Sequence, residues 1–122
     1  MKKYRYALLL LLAPLAACYN DKEAELYPSA VGCTTTDVRY TNVIAPILNN
    51  SCALAGCHNA ATPSSGYNFS QYADAQRAAQ NGDLVGTTTH AAGFSPMPQG
   101  ADKLPDCTLA QIQAWVAAGA PQ

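Results

Sequence analysis

Apolar residues cluster in one unbroken run near the N-terminus and then recur at helical spacing in later segments. The run, Ala7 to Ala16, contains Pro14 and is shorter than the about 20 apolar residues a membrane-spanning helix needs. From Tyr19 to Thr36 no apolar period exists: Asn20 to Glu25 is mostly charged, and Pro28 and Gly32 follow. Between Asp37 and Asn50 the positions Val38, Val43, Ile44, Ile47 and Leu48 predict a helix. Pro46 removes a backbone donor and crowds the preceding turn, so that helix is kinked or starts late. A second helix is predicted over Gln71–Asn81, capped by Ser70 and ended by Gly82; its Ala- and Gln-rich composition does not demand deep burial. A third starts at Thr108-Leu109-Ala110-Gln111, which has capping-box spacing, buries Ile112, Trp115 and Val116 on one face and stops at Gly119 and Pro121. Thr87 to Leu104, broken by Gly93, Pro96, Pro98 and Gly100, is expected to be loop. The fold class expected is all-α, with about three main helices and long loops.

The N-terminal run has the flanks of an export signal. Met1-Lys2-Lys3-Tyr4-Arg5 is a basic n-region, and Leu15-Ala16-Ala17-Cys18 resembles a bacterial lipobox, which implies cleavage before Cys18 and a lipid on its sulfur. The expected organisation is a signal peptide over 1–17, a lipidated linker over 18–36 and one domain over 37–122. The product is expected to be an exported lipoprotein of the cell envelope, periplasmic or on the surface side, with the outer membrane favoured. Without the signal, Lys22, Arg39, Arg77 and Lys103 face eight carboxylates, a net charge of −4. That balance offers no basic patch and argues against nucleic acid as a partner. A domain this small commonly supplements its core with a metal, a disulfide or a cofactor.

The chemistry concentrates in Cys52-Ala53-Leu54-Ala55-Gly56-Cys57-His58. In the C-x-x-C-H run of haem attachment, two thiols add to the haem vinyl groups and the next residue delivers an imidazole to the iron. Here the spacing is C-x4-C-H, and the longer stretch can bulge outward while the Cys57–His58 adjacency is kept. Met97 lies in Ser95-Pro96-Met97-Pro98, where two prolines stiffen the chain around one thioether, and with His58 on the iron it is the expected sixth ligand. His90, seven residues earlier in the same loop, is the competing distal ligand, and an open or water-bound position is the third possibility.

The order of these features resembles a small monohaem c-type cytochrome. More narrowly, Ile44-Ala45-Pro46-Ile47-Leu48, Tyr67-Asn68-Phe69-Ser70-Gln71-Tyr72 and Ile112-Gln113-Ala114-Trp115-Val116 resemble cytochrome-c-like domains of the planctomycete type and their lipoprotein relatives. The resemblance spans Val38 to Gln122 and departs from the pattern in the x4 spacing. It implies one haem c bound covalently through Cys52 and Cys57, with His58 proximal and Met97 distal, and first and last helices that cross at Trp115. A Met/His pair raises the reduction potential, so a relatively high-potential one-electron carrier is expected, with redox proteins as partners and no turnover chemistry. Once haem and lipid take three cysteines, Cys33 and Cys107 remain as an even pair, and a disulfide worth about 2–4 kcal/mol is expected between them.

Other classes use the same residues. Cys52, Cys57, His58 and His90 could hold zinc, a reading that leaves Met97 and the export signal without a role. Copper could take Cys57, His58, His90 and Met97, though the helical pattern differs from the β-sandwich of blue-copper proteins. A haem with an open distal position could act as a small peroxidase.

Overall fold

Residues 32–122 are described by a computed structural model. They form four helices, α1 (Ala45–Ser51), α2 (Tyr72–Gln80), α3 (Asp83–Thr88) and α4 (Asp106–Ala117), with a π-helical turn at Tyr40–Ile44 and a 3-10 turn at Ser64–Gly66. Helical residues make up 46% of the described chain and no strand occurs among them, which agrees with the all-α expectation. The expected signal peptide, Cys18 and the linker up to residue 31 lie outside the described residues.

Pro46 shapes the first element. It sits in the first turn of α1, directly after the π-helical turn at Tyr40–Ile44. Just upstream the hydrogen-bond ladder is one residue wider, with Ile44 N–H on Arg39 O at 3.3 Å and Ala45 N–H on Tyr40 O. The expected kink or late start therefore takes the form of a change of pitch before the proline. Ile44 and Leu48, on the buried side of this composite element, are fully enclosed.

The start of α2 differs from the expected cap. Gln71, in extended conformation, occupies the N-cap, and Ser70 does not cap the helix. Asn68 organises the turn instead: its side-chain oxygen accepts Ser70 N–H at 3.1 Å and its carbonyl accepts Gln71 N–H at 3.0 Å. Asp74, in the first turn, takes Asn68 N–H at 2.9 Å and pairs with Arg77 at 2.8 Å. Nor is the burial shallow. Ala75, Ala78 and Ala79 are all buried, because small side chains let α2 approach the core closely.

Helix α3 occupies part of what the sequence read as loop. Its threonines have modest helix propensity, but Thr87 and Thr88, and Thr89 just past its end, each turn the hydroxyl back onto the carbonyl four residues earlier at 2.7 Å. α4 begins at Asp106, two residues before the expected start, with Pro105 at its N-cap. The capping box at Thr108 is consequently absent, and the Gln111 amide reaches out to Thr34 O at 3.2 Å.

Trp115, Ile44, Leu48 and Ile112 are the largest fully buried side chains, each worth about 1.5–3 kcal/mol of burial. Val116 is only partly buried. The Trp115 ring lies 6.2 Å from Tyr40, which places it between α4 and the π-helical turn. Cys33 and Cys107 form the expected disulfide, with Cα atoms 5.6 Å apart, tying the segment before the first helix to the first turn of α4. At the other end Pro121 O accepts Tyr40 N–H at 3.0 Å and Trp115 Nε1–H at 2.7 Å. No helix among the described residues is long and apolar enough to cross a membrane.

Candidate functional site

The loop after α1 folds back on itself. Cys52 ends α1, its N–H still bonded to Leu48 O at 2.9 Å, and His58 N–H returns to Cys52 O at 3.1 Å. This bond closes the four-residue interval between the cysteines. Gly56, with φ 78°, supplies the left-handed turn such a closure needs, and its N–H is held by Thr62 Oγ1 at 3.1 Å.

Cys52, Cys57 and His58 line one cavity of about 600 Å³. Met97, brought from the far loop, lines the same cavity. Phe69, Leu84 and Phe94 supply apolar wall. The two thiols are free, Cys57 exposed and Cys52 partly buried. Burial pushes the Cys52 thiol up to about 11, and the neighbouring Cys57 adds to the rise.

The His58 ring tilts against Phe69 with centroids 4.8 Å apart, and its Nδ1 is buried with no hydrogen-bond partner. A buried polar nitrogen left unpaired costs about 1–3 kcal/mol. Two thiols for attachment, and an imidazole and a thioether as ligand types, on an apolar-walled space of this size fit covalently held haem.

His90 lies elsewhere. It is not part of the cavity lining, and its Nε2 sits 3.0 Å from Met97 O. Among the described residues no three His, Cys, Asp or Glu side chains gather as a metal-ion group.

Several wall residues were not legible as such. Tyr67 and Phe69 alternate along an extended stretch, so both rings fall on one side and stack at 5.5 Å. The Tyr67 hydroxyl donates to Asp83 at 2.6 Å and accepts from the Asn81 amide at 2.7 Å, while the Arg77 guanidinium lies 4.7 Å from the ring centroid. Leu84, Thr87 and Thr88 arrive on the unanticipated α3. Phe94 lies over Gly86, where no side chain intervenes. The chain matches no family model, no curated protein and no solved structure.

Proposed function

We propose that this chain is a lipid-anchored one-electron carrier with a single covalently attached haem c, and that the domain is a cytochrome-c-like one. Cys52 and Cys57 are the attachment points, His58 the proximal ligand and Met97 the distal ligand. The observation that carries this reading is the convergence on one cavity of two thiols, an imidazole and a thioether from segments as distant as residues 52 and 97. Bound haem supplies the ferrous/ferric couple.

The chain supplies attachment, orientation and dryness. The Cys52–His58 backbone bond keeps the two thiols and the imidazole in one compact loop. Phe69, Leu84 and Phe94 exclude water and so lower the local dielectric around the redox centre. Met97 is favoured over His90 because it faces the cavity while the His90 ring is engaged by a backbone carbonyl. Leu54 and Phe94, 47% and 39% exposed at the cavity rim, leave an apolar approach for a redox partner, and the net negative chain suits a basic one. The lipid on Cys18 would hold this domain at the envelope, on the outer membrane by preference, beyond the cytoplasm, where haem attachment takes place.

The test is intact mass with a pyridine haemochrome spectrum on the full chain, expressed with a cytochrome c maturation system. One haem per chain is expected, lost in the Cys52→Ala/Cys57→Ala variant. A haem-free chain from cells that load a control cytochrome overturns the reading.

A further inference from the structure

Three helices of this domain end in left-handed backbone, and one of them does so with the wrong residue. α2 and α4 close at Gly82 (φ 86°) and Gly119 (φ 87°), where glycine adopts the conformation without penalty. After α4, Gly119 N–H bonds Val116 O at 3.0 Å and Ala120 N–H bonds Trp115 O at 2.9 Å, the paired bonds of a Schellman motif. α3 closes with the same pair, His90 N–H on Thr87 O at 3.2 Å and Ala91 N–H on Gly86 O at 2.9 Å. The residue in the glycine position is His90, at φ 55°. A β-carbon is disfavoured there, so the turn itself does not call for histidine.

The ring accounts for the choice. Met97 O is only an acceptor, so His90 Nε2, 3.0 Å away, carries the proton and donates. Met97 N–H in turn bonds Thr87 O at 3.0 Å. Both backbone polar groups of Met97 are thereby tied to the C-terminal end of α3, whose Leu84, Thr87 and Thr88 line the cavity. A methionine side chain has three rotatable bonds, so anchoring its root on the cavity wall is what limits where the sulfur travels.

We infer that His90 is a positioning residue, a latch that holds Met97 against α3 and so retains the thioether at the cavity. This rests on the haem reading above.

The experiment uses the full-chain holoprotein and His90→Gly, a substitution that suits the left-handed turn and keeps the fold. The ferric protein is titrated with imidazole, which competes with Met97 for the iron. Affinity is expected to rise about fivefold, the equilibrium equivalent of one neutral hydrogen bond, with loss of the sulfur-to-iron absorption band at lower imidazole. In a Met97→Ala background the same substitution is expected to change nothing, since the latch then has nothing to hold. Unchanged imidazole affinity with Met97 present overturns the latch. Hydrogen exchange at the Met97 amide gives a readout that needs no haem: it is expected to be about fivefold faster in His90→Gly, and equal rates overturn the proposal. If the wild-type chain carries no covalent haem, the haem reading falls and the exchange comparison alone decides the latch.

Discussion

Adding one methyl group at Gly86 sets two contributions of similar size against each other. Gly86 lies inside α3 with ordinary helical backbone, so Gly→Ala there is expected to add about 1 kcal/mol of stability through helix propensity. The new Cβ, however, would lie 2.6 Å from three ring carbons of Phe94. Carbon atoms pack at about 3.5–4.0 Å, so the ring must retreat by roughly 1 Å or swing away. Phe94 is 39% exposed, so roughly three fifths of its burial is at stake, about 1–2 kcal/mol of the 1.5–3 that a fully buried ring contributes. The two effects leave Gly86→Ala neutral to about 1 kcal/mol destabilising. In a Phe94→Ala background the obstacle is gone, and the same substitution is expected to stabilise by the full propensity gain. Guanidinium melts of the four proteins in this double-mutant cycle give the coupling, expected at about 1–2 kcal/mol. Equal effects of Gly86→Ala in both backgrounds would falsify the ring contact.

Alkaline pH is expected to weaken the haem-free protein through Cys52. Its folded value lies near 11 against an ordinary 9.0, so the folded state keeps a proton that the unfolded chain releases between those values. Stability is fully present below pH 9 and falls by at most about 3 kcal/mol as pH rises toward 11. Urea melts of wild type minus those of Cys52→Ala isolate this from Tyr40, whose phenol is also raised by burial; identical pH slopes would refute it. Met97→Ala is expected to abolish the sulfur-to-iron absorption band and lower the reduction potential of the holoprotein, and survival of both in spectroelectrochemistry would show the ligand to be wrongly assigned. Opening the disulfide with Cys33→Ala/Cys107→Ala frees a long loop, the cysteines being 74 residues apart, and is expected to cost about 2–4 kcal/mol in chemical denaturation. An unchanged midpoint would refute a crosslink that stabilises by restricting the unfolded chain.

Legibility followed the strength of local signals. The final helix carries an apolar face and a terminal Gly, so its existence and its end were readable, and only its start moved when Pro105 took the N-cap. The short α3 was not readable, since two threonines and a glycine among its six residues carry little helical signal and its stabilising hydroxyl bonds exist only once it has formed. Cys52, Cys57, His58 and Met97 were singled out from sequence because few residue types perform that chemistry. Their shared wall was not, because Leu84, Phe94 and Tyr67 are ordinary residues until tertiary structure brings them to the cavity. His90 shows the limit most plainly. Its type suggested a ligand, whereas its bond to Met97 O depends on a turn conformation that no spacing rule encodes.

The paired bonds to Pro121 O make the end of the chain part of the interior. The Trp115 indole is fully buried and Tyr40 nearly so, and Pro121 O is the acceptor that serves both donors. Ala120 O likewise receives the Tyr72 hydroxyl at 2.9 Å. Trimming the last two residues would act like a core substitution, stranding an indole N–H at a cost of about 1–3 kcal/mol. Affinity tags and fusion partners therefore belong after an intact, exposed Gln122, and a shortened C-terminus would report on folding before it reported on any redox property.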